Sequence, residues 1–192
     1  MRNIIFAVMI VLFVGGCDRQ KAAERQGEAG SSQSLPTDAP VKERSGAGID
    51  RSRSGSAMPD IGVRDPDGET VPLMTMRKAG KPLLLNLWAT WCAPCIKELP
   101  TLDRLSDRPG APLVVALSQD SGDQSKVSAF LASKKLGLES WQDPDMAAAS
   151  ALGVQILPTT VLYGSDGKEV WRFNGDLDWT GPEAAKLLAE AS

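Results

Sequence analysis

The stretch that decides the fold of this chain is Leu83-Leu84-Leu85-Asn86-Leu87-Trp88-Ala89-Thr90-Trp91-Cys92-Ala93-Pro94-Cys95. Its first six residues form a mostly apolar run that is typical of a buried strand. A helix is expected to begin at Cys92, since Pro94 is tolerated in a first helical turn. The start of a helix carries unpaired amide donors and a partial positive charge, which stabilise a thiolate at Cys92. Because the thiolate is the attacking species, Cys92 and Cys95 are predicted to form a reversible dithiol/disulfide pair.

Two cysteines at this spacing also occur in zinc sites, so a metal centre is the first alternative. A structural zinc ion takes four ligands, mainly cysteine and histidine. The chain has 3 cysteines and no histidine, and the third cysteine, Cys17, lies far from the pair in the sequence. A zinc or copper ion would therefore need carboxylates or a partner protein as further ligands. We expect no metal, and no cofactor other than the Cys92–Cys95 pair itself.

The first residues of the chain are predicted to be an export signal. A short basic start is followed by an apolar run of eleven residues, 4–14, and then by Gly15-Gly16-Cys17. Eleven residues are too few to span a bilayer, which takes about 20, and they suit the core of a signal peptide. The end of the run resembles the cleavage site of bacterial lipoproteins, in which the cysteine is acylated and becomes the first mature residue. This predicts a signal peptide over residues 1–16 and a lipid on Cys17; the alternative is an uncleaved signal anchor with an incidental cysteine.

Residues 17–57 are predicted to be a lipid-anchored flexible linker, and residues 58–192 a single domain. Small and polar residues with charges of both signs dominate the first segment, which lacks the apolar surface needed to offset the entropy of ordering. The second segment is long enough to build one core. The net charge of the whole chain is −3, and no basic patch indicates a nucleic-acid partner. An exported domain with a single pair of cysteines so close in sequence is not expected to use it as a structural disulfide. We therefore expect the pair to carry out thiol–disulfide exchange.

Within residues 58–192 the pattern of apolar runs and turns predicts an α/β fold. Hairpins are expected over 61–73 and 159–173, the first around an Asp-Gly turn. Strands are expected over 83–88, 113–117 and 138–141. Helices are expected over 92–107, 125–135, 145–152 and 182–191.

Residues 85–100, the segment Ile156-Leu157-Pro158-Thr159-Thr160 and the Asp166-Gly167 turn together resemble the TlpA/ResA-like thiol-disulfide oxidoreductases of the thioredoxin superfamily. The resemblance extends over residues 60–190. It implies a three-layer thioredoxin-like fold: a central mixed sheet flanked by helices, with an N-terminal β-hairpin and an inserted βα element before a cis-proline.

The resemblance implies a substrate-binding surface around the cysteine pair. Leu157–Pro158 is expected to be a cis peptide that faces the cysteines. The backbone before such a proline is free to pair with an extended substrate chain. Trp91 and Pro94, next to the cysteines, are expected to contact the same substrate.

Glu98 is the candidate for proton transfer to and from Cys95. It follows Cys95 by three residues and therefore shares its helix face. Thioredoxins keep a buried aspartate in the preceding strand, where this chain has Asn86, which cannot take a proton. The alternative is that Glu98 is an ordinary solvated residue of the helix.

Two directions of electron flow are open to such a pair. A disulfide-forming oxidase needs a strongly stabilised thiolate, as in DsbA at about −120 mV against about −270 mV for thioredoxin. Oxidases and isomerases of this fold place a histidine between the cysteines, whereas this chain has Ala93-Pro94 and no histidine at all. We therefore expect a reductase of protein disulfides, with the oxidase as the alternative.

The resemblance also implies partners and a location. The oxidised pair would be re-reduced by a membrane electron donor of the DsbD/CcdA kind, on the periplasmic side of the bacterial inner membrane. The membrane contact would be the lipid on Cys17. Asp18 follows this cysteine, and in enteric lipoproteins an aspartate at that position retains the protein at the inner membrane. Implied substrates are the haem-site cysteines of apocytochrome c, or the copper-site cysteines of cytochrome oxidase and its copper chaperone. We expect a monomer.

Other classes fit the sequence less well. A peroxidase of this superfamily would carry threonine three positions before the reactive cysteine, where this chain has Ala89. A copper chaperone of the same fold would have a longer cysteine spacing and a distal histidine. An inert binding module would have no need of Cys92, Cys95 and Pro158 together.

Overall fold

The computed structural model of the protein describes residues 48–191. The predicted signal peptide, the lipid on Cys17 and most of the predicted linker therefore lie outside the described residues. Within the described part no helix is long and apolar enough to cross a membrane.

Eight strands form one mixed sheet in this part of the chain, in the order β1-β8-β7-β4-β5-β6-β2-β3. Strands β4, β5 and β6 run parallel to one another, and the other neighbours are antiparallel. The strands are β1 Gly48–Asp50, β2 Gly62–Arg64, β3 Thr70–Pro72, β4 Leu83–Trp88, β5 Leu113–Ser118, β6 Trp141–Gln142, β7 Thr159–Tyr163 and β8 Glu169–Asn174. The order confirms the predicted N-terminal hairpin and mixed central sheet.

Helices cover both faces of the sheet. They are α1 Ala93–Ser106, α2 Gln124–Ser133, α3 Ala147–Leu152 and α4 Pro182–Leu188, with a 3₁₀ turn at Leu73–Met76. Side chains alternate along a strand, so Leu84 and Trp88 pack with α1, α2 and α4, while Leu83, Leu85 and Leu87 pack with α3 and the 3₁₀ turn. The two cores confirm the three-layer thioredoxin-like fold, and β6 with α3 is the predicted insertion before Pro158.

The N-terminal boundary of the domain differs from the predicted one. Residues 48–57 were expected to belong to the flexible linker, but β1 pairs with β8, with Ile49 opposite Phe173. Gly55 N–H donates to the Glu169 carbonyl at 2.7 Å, and Glu169 N–H donates to the Ser56 carbonyl at 2.9 Å. The boundary at residue 58 is therefore wrong, because pairing with a distant strand satisfies the backbone of this polar segment.

The remaining elements follow the predicted ones with small shifts. The strand expected over 138–141 is instead the two-residue β6 at Trp141–Gln142. The last helix ends at Leu188 rather than at residue 191. The helix that carries the cysteine pair begins at Ala93, and Cys92 is its N-cap.

Candidate active site

Cys92 and Cys95 form a disulfide with an S–S distance of 2.03 Å and a Cα–Cα distance of 5.3 Å. The Cys92 sulfur accepts a hydrogen bond from the Cys95 backbone N–H at 3.3 Å. In the reduced protein this amide, at the positive end of α1, would stabilise a thiolate on Cys92. The structure thus confirms the geometric basis of the predicted dithiol.

The two cysteines differ in what surrounds them. Cys92 is 6% exposed and Cys95 is fully buried. Trp91, which is 67% exposed, lies next to Cys92, and Ala93 and Pro94 are exposed as well. A protein substrate can therefore reach Cys92 first, and it meets an apolar surface there.

The Leu157–Pro158 peptide bond is cis, as predicted. The segment before it, residues 153–158, is called the Pro158 loop below. It leads into β7, which is antiparallel to β4 with Thr159 opposite Leu87. The start of β7 and the end of β4 therefore lie at the same end of the sheet, which brings the Pro158 loop to the end where Cys92 caps α1. Among the described residues, the amide and carbonyl of Leu157 have no hydrogen-bond partner, and Ile156 is 44% exposed.

Glu98 lies in α1 three residues after Cys95 and is buried, with 2% of its surface exposed. The alternative of a solvated helix residue is therefore wrong. Its Oε1 accepts from Asn86 Nδ2 at 2.7 Å. Its Oε2 accepts from the Leu177 backbone N–H at 3.1 Å and from the Trp179 indole Nε1 at 3.0 Å. All three donors are neutral.

Burial raises the pKa of Glu98 to about 7. The three hydrogen bonds favour the ionised form and oppose this rise, while the charge of Asp176 adds to it. The effect of desolvation exceeds that of the hydrogen bonds, because all three donors to the carboxylate are neutral and none is a cation. A carboxyl group with such a pKa can take up and release a proton near neutral pH.

Sequence reasoning missed the residues that hold Glu98. Asn86 was noted only as a residue that cannot be protonated, yet it donates to Glu98 and also to Thr160 Oγ1 at 2.9 Å. Thr160 lies opposite Asn86 in the β4–β7 ladder, so this contact follows from the strand register. Leu177 and Trp179 lie about eighty residues further along the chain, and no local pattern in the sequence points to them.

No group of three or more histidine, cysteine, aspartate or glutamate side chains that could hold a metal ion occurs within residues 48–191. The site contains a cysteine pair that forms a disulfide, a buried carboxyl group with a pKa of about 7 and an apolar rim. These groups suit thiol–disulfide exchange. On this sheet topology they define a dithiol oxidoreductase of the thioredoxin fold.

The chain belongs to the Redoxin family, whose profile matches residues 53–188, and within it to the ResA-like thiol-disulfide oxidoreductases. It is 32% identical over 124 residues to the thiol-disulfide oxidoreductase ResA of Bacillus thuringiensis (strain Al Hakam), which covers 64% of this chain and 70% of that protein. It is 31% identical over 126 residues to ResA of Bacillus subtilis (strain 168), with 65% and 69% of the two chains covered.

Solved structures agree with this assignment. A thioredoxin-like protein from Porphyromonas gingivalis superimposes with a TM-score of 0.58 at 26% identity, over 70% of this chain and 90% of that one. The exposed lipoprotein thioredoxin Etrx1 of Streptococcus pneumoniae superimposes with a TM-score of 0.53 at 25% identity, over 69% and 99% of the two chains.

Proposed function

We propose that this oxidoreductase is an extracytoplasmic, membrane-tethered reductase of protein disulfides. The observation that carries the direction is the pair Cys92-Ala93-Pro94-Cys95 in a chain without histidine. Without an imidazolium beside it, the Cys92 thiolate lacks one strong source of stabilisation, and a less stable thiolate makes the dithiol form a better reductant. The helix N-terminus still favours enough thiolate for attack.

The first step joins the substrate to Cys92. The Cys92 thiolate attacks one sulfur of a substrate disulfide, the substrate S–S bond breaks, and the other substrate sulfur leaves as a thiolate. The backbone of Leu157 supports this step, because its free amide and carbonyl can pair with an extended substrate chain. Trp91 and Pro94 supply the apolar contact beside it.

The second step releases the reduced substrate. Cys95 loses its proton and attacks the Cys92 sulfur, the mixed disulfide breaks, and the second substrate sulfur leaves as a thiolate. The protein ends as the Cys92–Cys95 disulfide, having lost two electrons that the substrate has gained. Glu98, with a pKa of about 7, accepts the Cys95 proton in this step and returns it when the pair is reduced again.

A reductase outside the cytoplasm needs an electron supply, since its surroundings are oxidising. We propose a membrane dithiol carrier of the DsbD/CcdA kind as the donor. As substrates we propose cysteine pairs that await haem or copper in respiratory proteins. The resemblance of residues 85–100 and 156–160 to the TlpA/ResA-like group supports both proposals.

The reduction potential tests the direction of electron flow. The full chain carrying Cys17→Ala, so that only one pair titrates, is equilibrated with a glutathione series in detergent. We expect a potential nearer to about −270 mV than to about −120 mV. A value near the second figure would make the protein an oxidase.

Trapping tests the roles of the two cysteines. In Cys95→Ser the mixed disulfide through Cys92 should accumulate, whereas the matched variant Cys92→Ser should trap far less substrate. Alkylation of the reduced wild-type pair at neutral pH should reach Cys92 well before Cys95. Equal alkylation rates would contradict the assignment.

Membrane tethering rests on the sequence Val14-Gly15-Gly16-Cys17. The likeness to the pneumococcal lipoprotein supports the proposal. Growth with a labelled fatty acid should label the wild-type chain and leave Cys17→Ala unlabelled. Label that persists in the variant would refute the lipid anchor on Cys17.

A further inference from the structure

Two arginines meet at the end of helix α3. The Leu152 carbonyl accepts from Arg172 Nη1 at 2.6 Å and also from Arg53 Nη1. Arg53 Nη2 reaches the Ala151 carbonyl at 3.4 Å. The last carbonyls of a helix lack helical partners and carry a partial negative charge, so two guanidinium groups are well placed there.

The two arginines are held in different ways. Arg172 is a buried residue of β8, and Glu169 accepts two of its N–H groups at 2.7 Å each. Arg53 is half-buried and belongs to the segment that follows β1. The Arg53 carbonyl closes a turn with the Ser56 N–H at 3.0 Å, and Gly55 next to it donates to the Glu169 carbonyl. The sheet therefore fixes Arg172 directly and fixes Arg53 through its backbone.

The Pro158 loop begins at the residue that follows these carbonyls. Gly153 ends α3 with φ +65° and ψ +33°, and a Cβ at this position would lie 3.1 Å from Arg53 Nη1. Between the loop and the sheet lies a cavity of about 80 Å³, lined by Asp50, Arg172, Asn174 and residues 153–156. The start of the loop is held by α3, since the Val154 N–H donates to the Ala149 carbonyl at 2.8 Å, and its other end is held by Thr159 Oγ1, which donates to the Ile156 carbonyl at 2.8 Å. The position of the first loop residues therefore follows the position of the end of α3.

We propose that Arg53 is a positioning residue for substrate binding, which holds the Pro158 loop at the distance that an extended substrate requires. The inference rests on the proposed function in one respect, namely that this loop pairs with the substrate backbone. In the described part of the chain, the hydrogen bonds of the Arg53 side chain go to the end of α3 and not to the cysteines. Arg53 acts by fixing the Leu152 carbonyl, from which residues 153–157 lead to Pro158.

The chain offers a matched control for this role. Arg51 lies two residues earlier in the same segment, and its guanidinium pairs with Glu190 at 2.7 Å on the surface. Arg53→Gln and Arg51→Gln remove the same charge from the same segment, but only Arg53→Gln removes a donor from the end of α3, where Arg172 remains as the other donor.

The test compares a polypeptide disulfide with a small one. The full chain carrying Cys17→Ala reduces insulin with dithiothreitol as the electron source. In a single turnover, the same chain, reduced beforehand and freed of dithiothreitol, reduces 5,5′-dithiobis(2-nitrobenzoate), which has no backbone to pair with the loop. For Arg53→Gln we expect KM for insulin to rise about threefold to tenfold, the effect of loosening one charge-assisted hydrogen bond, with kcat unchanged. The rate with the small disulfide and the reduction potential should not change, and Arg51→Gln should match wild type throughout.

Three outcomes would overturn the proposal. They are an unchanged KM for insulin, an equal loss with both disulfides, and the same effect in Arg51→Gln. Failure of the proposed function looks different, since the reduction potential of wild type would then lie near about −120 mV. In that case the same variants are compared in the oxidation of reduced insulin chains by the oxidised protein. The expected rise in KM for Arg53→Gln is the same.

Discussion

Two glutamates of this protein are equally buried, and their surroundings give them different properties. Glu98 below the cysteine pair and Glu169 in β8 are each 2% exposed. The carboxylate of Glu98 accepts only from neutral donors, and burial raises its pKa to about 7. The carboxylate of Glu169 accepts two hydrogen bonds from the guanidinium of Arg172. At equal burial, the two carboxylates thus differ in the charge of their partners, since Glu98 is held by neutral donors and Glu169 by a guanidinium.

The largest expected effect is a loss of stability when Glu169 loses the guanidinium of Arg172 as its counter-charge. Arg172→Met leaves a buried carboxylate without a counter-charge, and removing one partner of such a pair costs about 3–5 kcal/mol. Urea unfolding of the oxidised chain at pH 7 measures this loss. Arg172→Met combined with Glu169→Gln removes the stranded charge as well and should recover part of the stability. Equal losses in the single and double variants would show that the charge is not the cause.

The pH dependence of the free energy of unfolding tests the raised pKa of Glu98. Its pKa is raised from 4.5 to about 7 in the folded protein, so below about pH 4.5 the protonated form stabilises the fold fully. Between that pH and about pH 7 the unfolded chain releases the proton while the folded protein keeps it. The free energy of unfolding should therefore fall by roughly 3 kcal/mol across this range and level off above it.

The matched variant for this measurement is Glu98→Gln, which stays neutral at every pH. Within residues 48–191 the Asn86 Oδ1 atom has no hydrogen-bond partner, so rotation of the Asn86 amide allows it to accept from the new glutamine. Urea titrations of both proteins from pH 4 to 8 should show the fall in wild type and its absence in the variant. The same fall in both would mean that another group titrates.

The raised pKa of Glu98 should also affect the rate of disulfide reduction, by somewhat less in free energy than it affects stability. In the proposed mechanism Glu98 accepts the Cys95 proton, so in Glu98→Gln disulfide reduction near pH 7 should slow by roughly tenfold to a hundredfold. The pKa of the Cys95 thiol should fall, because the variant lacks the carboxylate charge beside it. The pH profile of disulfide reduction measures the first effect and the pH profile of thiol alkylation the second, with Asp107→Asn, at the exposed end of α1, as the control. Superimposable profiles would exclude Glu98 from proton transfer.

The smallest expected effect concerns Asp176, an exposed carboxylate that pairs with Lys97 at 2.8 Å. Its charge contributes to the raised pKa of Glu98. Asp176→Asn should therefore lower that pKa by a fraction of a unit, since exposed charges are screened by solvent. Carbon NMR of the Glu98 carboxyl group measures the shift, and Asp178→Asn is the control. An upward shift would contradict the sign of this interaction.

The sequence predicts the fold well where structure depends on local pattern. The apolar run at β4, the cysteine pair at the start of α1 and the hairpin of β7 and β8 all follow from residues that are close together in the chain. The cis peptide bond before Pro158 was implied by the family resemblance, and the structure confirms it.

The rest depends on contacts between distant residues. Residues 48–57 are polar and look like a linker, because strand pairing through the backbone leaves little trace in composition. The burial of Glu98 depends on Leu177 and Trp179, which are brought to it by the segment after β8. The pair of Glu169 and Arg172 could be read as two charges on a solvated strand, and only the packing of α3 against β8 shows that both are buried.

The pairing of β1 with β8 also bears on the solubility of the protein. Residues 48–57 cover β8 along its outer side, from the bridge between Ala57 and Lys168 to the pair of Gly48 and Asn174. A chain shortened to begin at residue 58 would leave this side open, with unpaired amides and carbonyls next to Trp171 and Phe173. An open strand edge of this kind is a template for pairing with another copy of the same chain. The first ten described residues thus protect the sheet against edge-to-edge aggregation.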